Sequence, residues 1–201
     1  MLFLVKDKGG EVKKKIKGIS ALKSKNIRMF LMIVALAALG RYSYAFTLWK
    51  AEELGYSVLQ GLGFYAIFNA IYALSAYPIG YYSDKMGKKS VITLGFGVAG
   101  LASLLFAYSC TLPVLLLAFA FYGIYMAIED TIPRAYMADL SGEFEKGTVI
   151  GAYHTVFGIF VFPASLIVSY LWQSHSLKAG FLYAAVINFM AMVLMALLVR
   201  E

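Results

Sequence analysis

The chain has 201 residues, of which 61% are hydrophobic and 14% charged, against about 25% charged in soluble globular proteins. That balance places it in a lipid bilayer. The formal net charge of +7 does not argue for a nucleic-acid partner, because the basic residues fall in short segments between apolar runs, where membrane topology already explains them.

Residues 1–28 form a basic headpiece, and residues 29–201 carry the apolar runs. The headpiece opens on Leu2, Phe3, Leu4 and Val5 and then turns to lysine. A secretory signal has the opposite order, with positive charge ahead of an apolar stretch of roughly 7–15 residues. Further on, Val12, Ile16, Ile19 and Leu22 recur at helical spacing among Lys13, Lys14, Lys15 and Lys17. That pattern suits a helix lying in the membrane interface; a disordered basic arm is the competing reading.

A helix needs roughly 20 apolar residues to cross the hydrocarbon core. Six stretches qualify: about 29–49, 59–82, 90–108, 112–137, 147–172 and 179–199. The third and fourth are separated only by Ser109, Cys110 and Thr111, and Pro113 suits the first turn of the helix that follows. Cys110 is the single cysteine, so no disulfide forms within the chain, and the Cys/His spacing of a structural zinc site is missing. Long unbroken apolar runs exclude a β-barrel, which needs short alternating strands. The expected fold class is all-α, a polytopic bundle of six transmembrane helices.

Lysine and arginine set the orientation. Nine precede the first span, three lie in the loop 83–89, two between residues 134 and 146 and one in the tail, whereas the opposite loops carry only Lys50 and Lys178. The positive-inside rule then puts both ends of the chain in the cytoplasm, with the cell membrane as the expected location. Tyr42, Tyr44, Trp49, Tyr56 and Trp172 fall near the expected interfaces, where an aromatic belt or helix packing accounts for them.

Between the second and third spans the chain reads Gly80-Tyr81-Tyr82-Ser83-Asp84-Lys85-Met86-Gly87-Lys88-Lys89-Ser90. This resembles the signature loop of the major facilitator superfamily, G-x-L-[AS]-D-[RK]-x-G-[RK]-[RK], with Tyr82 in place of leucine. Physically, Gly80 would allow close helix approach and Gly87 a tight reversal. Asp84 would cap the third helix or face another helix's positive end, and Lys88 and Lys89 would hold the loop at the anionic leaflet.

Other segments extend the resemblance. Gly40-Arg41-Tyr42-Ser43-Tyr44-Ala45-Phe46 followed by Trp49-Lys50-Ala51-Glu52-Glu53-Leu54-Gly55 is similar to the seventh helix of prokaryotic facilitators, and the run from Phe68 through Asn69 to Pro78 to their eighth. Glu129, Arg134, Asp139, Lys146, Gly147, Tyr153, His154 and Pro163 fall in segments similar to the tenth and eleventh. All belong to a C-terminal half, whereas a full facilitator has twelve helices in two six-helix halves. The resemblance therefore implies half a facilitator fold. The start of the headpiece then resembles the end of a sixth helix, and its remainder the linker between halves.

Ionisable groups at membrane depth are costly and mark function by default. Arg41 lies about 18 Å in from Met29 at 1.5 Å per residue, near the midplane. By the same rise Glu129 lies about 7 Å and His154 about 10 Å inside the cytoplasmic boundary. Asp130 and Arg134 form an i,i+4 pair, and Pro133 has no N–H to offer the carbonyl of Glu129. Glu129, Asp130, Arg134 and His154 could thus form one proton-coupling or gating network. The plainer readings are that Arg134 snorkels and that His154 is packed and hydrogen-bonded.

Where the family pattern often has an acid three residues after the arginine, this chain has Tyr44, and Asp130 is an acid where a small residue is more usual. Arg41 is therefore expected to pair with an acid on another helix or with an anionic substrate. Pro163 can kink the fifth span, and Gly95, Gly97 and Gly100 form a small-residue packing face in the third.

The resemblance implies secondary transport of a small solute, with protons as the coupling ion. Its partner would be a second six-helix half, from a separate chain or a second copy. The alternative is a non-transporting fragment or accessory subunit that assembles with another transporter half. No nucleophile-elbow or metal-binding helix motif supports an enzyme, and no cofactor or metal is expected.

Overall fold

The computed structural model describes residues 22–142 and 145–199. The expected apolar start at Leu2 and the interfacial helix through Val12, Ile16 and Ile19 lie outside the described residues. The described residues form seven helices in order: α1 Lys25–Leu39, α2 Tyr44–Glu53, α3 Val58–Met86, α4 Lys88–Tyr108, α5 Leu112–Asp139, α6 Lys146–Ser174 and α7 Leu177–Leu198. Among the described residues there is no strand. Taking α1 and α2 as one crossing, six segments are long and apolar enough to span a membrane.

The first expected span is thus not one helix. It breaks at residues 40–43, and the cause lies on α7. A Cβ on Gly40 would stand 2.8 Å from Ile187 Cγ2 and 3.0 Å from Asn188 Nδ2, so only glycine lets the chain approach α7 this closely. The buried Asn188 amide donates to the Ala184 carbonyl at 2.8 Å and to the Gly40 carbonyl at 3.5 Å. The last turn of α1 closes through Gly40 N–H to Ala37 and Arg41 N–H to Ala38. Ser43 then restarts the helix, its hydroxyl accepting from the Ala45 N–H at 3.3 Å, as an N-cap serine does.

Elsewhere the helix ends follow local sequence. Ser57 and Gln60 form a capping box that starts α3, satisfying two N–H groups that would otherwise lack partners. Gly87, at φ +84°, makes the sharp reversal between α3 and α4, a backbone region that L side chains rarely enter. Pro113 sits in the first turn of α5. Helices α5 and α6 continue through Pro133 and Pro163.

Helix α4 sits centrally, packed on α5 and α7; α3 packs on α5, and α1 lies against α6 and α7. Gly95, Gly97 and Gly100 of α4 face Ile128, Met192 and Phe189, each closer than a Cβ could tolerate. Small residues let these helices close in the absence of a hydrophobic drive between them. Gly123 does the same between α5 and α3, where a Cβ would stand 2.9 Å from the Phe68 carbonyl oxygen. Gly80, expected to serve such an approach, does not: a Cβ there would meet nothing within 4 Å.

Two apolar cores result. One surrounds Phe106, Leu115, Phe119 and Phe181 near the α4–α5 turn, and the other surrounds Phe30, Ile92, Ile132 and Met137 near Gly87. The α1–α2 break falls between them, at the level where α5 passes from Tyr125 to Ile128. Helices α3 and α6 bury the least of themselves, so one side of the bundle is left uncovered.

Candidate functional site

The break delivers Arg41 to the seam between the two cores. Its Nη1 donates to the Tyr125 hydroxyl at 3.2 Å and lies 3.7 Å from Glu129 Oε1. Its Nη2 lies 3.3 Å from Met126 Sδ. The guanidinium carbon stands 5.2 Å from the Phe157 ring centroid and 5.7 Å from that of Tyr125, inside cation–π range. The two charged side chains retain only 17% and 10% exposure. Glu129 Oε1 also accepts from the Tyr153 hydroxyl at 3.3 Å. The expected acid on another helix is therefore Glu129, and tyrosines from α5 and α6 complete its shell.

These partners come from one face of α5, since Tyr122, Tyr125 and Glu129 follow one another at spacings of three and four, neighbours on a helix surface. Tyr122 supports the break directly: its hydroxyl donates to the Tyr42 carbonyl at 3.4 Å, and its ring stacks on that of Tyr42 at 5.4 Å. Ser103 on α4 donates to the Tyr42 hydroxyl at 3.3 Å. Tyr122, Tyr125 and Asn188 were not singled out by sequence, and Tyr153 stood only within a segment resembling a facilitator helix. Helical spacing from Glu129 was the available signal.

Beside the arginine opens a cavity of about 340 Å³, lined among others by Arg41, Tyr44, Asn69, Tyr72 and Asp130. The Tyr72 hydroxyl donates to Asp130 Oδ2 at 3.0 Å. The Tyr44 ring packs at 5.1 Å on Tyr65. Asn69 donates from its amide to the Tyr65 carbonyl of its own helix at 2.8 Å. The cavity lies between the break, α3, α5 and α6.

The four groups Glu129, Asp130, Arg134 and His154 do not form one network. Glu129 turns to Arg41, whereas Asp130 turns to Tyr72. Arg134 is exposed and gives its guanidinium to the backbone carbonyl of Asp130 rather than to its carboxylate. His154 is exposed on α6 and meets the ring of Tyr153 edge-on at 5.1 Å. The physical reason is helical phase: consecutive residues point about 100° apart, so Glu129 and Asp130 serve different neighbours.

At the Gly87 end, Lys88 Nζ bridges Asp139 Oδ2 at 2.6 Å and Asp84 Oδ1 at 3.8 Å. The Asp84 side chain is 76% exposed, and α4 begins at Gly87 without a side-chain cap. Asp84 is thus an ion-pair partner of Lys88 rather than the cap of α4. Lys89 joins Asp84, Tyr136 and Asp139 around a shallow groove of about 320 Å³. Among the described residues, no group of three His, Cys, Asp or Glu side chains could hold a metal ion.

Residues 28–201 match the family described as Major Facilitator Superfamily. The chain is also 37% identical, over 194 residues, to a protein of Methanocaldococcus jannaschii named Uncharacterized MFS-type transporter MJ1317. The match covers 92% of this chain and 48% of that protein, so the chain spans about half the length of the curated relative it matches.

Proposed function

From the premise that this chain belongs to the major facilitator superfamily, a family of transporters, we propose that it moves a small solute across the membrane by secondary transport. The bundle supplies the C-terminal half of the path and is not an enzyme. A second six-helix half, from a separate chain or a second copy, covers the open side formed by α3 and α6. Alternating access is then a rocking of the two bundles about a site near the midplane. Protons are the coupling ion, with Asp130 the acid at the cavity and Glu129 a second one paired to Arg41 beside it. The protein sits in the cell membrane with both termini cytoplasmic, a reading the lysine distribution supports.

The observation that carries this reading is the break at residues 40–43, which sets the Arg41–Glu129 pair beside a cavity of about 340 Å³. A broken helix whose free backbone lines a cavity is tolerated at membrane depth only where protein or water surrounds it, and discontinuous helices of this kind hold substrate sites in secondary transporters. The test is co-expression with a candidate N-terminal half and a proton-flux assay in sealed vesicles. Organic cations, organic anions and sugars are added in turn, with a pH-sensitive dye as the reporter. At least one class should drive proton movement when both halves are present. No proton movement with any class, in vesicles holding the assembled pair, would defeat the proposal.

A further inference from the structure

The cavity beside the break has an aromatic wall. Ring centroids of Tyr44 and Tyr65 lie 5.1 Å apart, those of Tyr65 and Phe68 5.4 Å, and Phe68 stands 5.3 Å from Tyr122 and 6.4 Å from Tyr72. At the end of this wall Tyr72 hands over to a carboxylate, its hydroxyl reaching Asp130 Oδ2 at 3.0 Å.

Two charged residues line the cavity, Arg41 and Asp130, and they are partnered differently. Arg41 is held by Glu129 at 3.7 Å, with the rings of Tyr125 and Phe157 against it. Arg134, four residues beyond Asp130, is engaged with the Asp130 backbone carbonyl and does not line the cavity. Among the described residues no cation stands within 4.0 Å of the Asp130 carboxylate. Asp130 is thus left without an ion pair of its own, in a space to which six of the lining residues bring rings.

A carboxylate at membrane depth is costly unless something positive meets it, and aromatic faces attract cations by their quadrupole. We propose that this cavity binds a small organic cation, its charged head between Asp130 and the Tyr72 ring and its apolar body along Phe68 and Tyr122. A volume of about 340 Å³ sits at the lower end of small-molecule sites, roughly 300–1,000 Å³, which suits a compact amine or quaternary ammonium rather than a peptide. An anion held by Arg41 and the start of α2 is the competing chemistry. It is disfavoured because Glu129 already occupies Arg41 and the Ser43 hydroxyl already takes the Ala45 N–H. The inference rests on the transport reading for calling the ligand a substrate, but binding itself requires no translocation.

Equilibrium binding of radiolabelled benzyltrimethylammonium to the full chain in lipid nanodiscs tests it. The neutral carbon isostere neopentylbenzene and the anion phenylacetate serve as competitors. The cation should bind saturably and at least about tenfold more tightly than either, the scale of a desolvated cation–π and charge contact. Asp130→Asn should lose about tenfold in affinity, Asp130→Glu should keep most of it, and Tyr72→Phe, which frees Oδ2 of its donor, should keep or tighten it. Thermal unfolding of each variant checks that the bundle is intact, and the Glu and Phe variants carry the test if the Asn variant does not fold. Absence of cation binding, a preference for phenylacetate, or undiminished cation binding by Asp130→Asn would overturn the proposal. Phenylacetate binding that depends on Arg41 would remove the cation and leave transport standing. Cation binding without any proton flux in vesicles would do the reverse.

Discussion

Arg41 and Glu129 meet at 3.7 Å across the seam between two apolar cores, one on an unwound segment and the other on the long helix α5. Each makes the other tolerable. Removing one partner leaves a charge with little water around it, and a buried pair broken this way loses about 3–5 kcal/mol.

Because the two side chains keep 17% and 10% exposure, Arg41→Ala and Glu129→Gln should each cost somewhat less, about 2–3 kcal/mol. The double variant Arg41→Ala with Glu129→Gln should be more stable than the sum of its single variants implies, by about 1 kcal/mol or more. Thermal unfolding in detergent, arranged as a double-mutant cycle, reads this directly. Strict additivity would show that the pair does not couple.

Gly123 and Gly80 look alike in sequence but differ in space. Gly123→Ala would push a methyl group to 2.9 Å from the Phe68 carbonyl oxygen, an overpacking against backbone that should cost about 1–3 kcal/mol. Gly80→Ala meets nothing within 4 Å and should be neutral or stabilising by up to about 1 kcal/mol, as glycine removal from a helix is. Unfolding midpoints of the two variants, measured side by side, check the contrast.

Lys88 joins Asp139 at 2.6 Å and Asp84 at 3.8 Å, but those acids are 60% and 76% exposed. Solvent screening limits such a pair to about 1 kcal/mol. Lys88→Ala should therefore shift the unfolding midpoint only slightly, and raising salt should shrink the difference between variant and wild type.

The open side of the bundle makes a prediction about assembly. Asn69 and His154 are exposed on α3 and α6, whereas Leu115 and Ile27 are buried. In a Cys110→Ser background, cysteines replacing Asn69 or His154 should react with a thiol reagent in the chain alone and become protected when the second half is co-expressed. Cysteines at Leu115 and Ile27 should react in neither state. Equal labelling of the first pair with and without the second half would count against a covering partner.

Much of the fold is legible in the sequence because lipid leaves a chain few options. Backbone groups must pair within each segment, so runs of about 20 apolar residues declare themselves as helices. The break at residues 40–43 does not declare itself. It contains no proline, and it depends on Ile187 and Asn188, the latter 148 positions from Gly40. The sequence also orders Arg41, Glu129 and His154 along their helices, but it does not show which way each one faces. Which of Glu129 and Asp130 turns to Arg41 follows from the phase of α5, and that phase is fixed by packing of Tyr122 and Gly123 on α3 and the break. The tyrosines of the site were hidden by abundance: in a chain with 15 of them, the few that serve a charge do not stand out.

Solute-driven proton flux in sealed vesicles, compared between wild type, Arg41→Ala and Glu129→Gln at equal amounts of assembled protein, tests the transport account most directly. If the pair at the break lies on the transport path, both variants should lose at least about tenfold in rate, a change of about 1.4 kcal/mol in barrier height. Full flux in either variant would contradict the account.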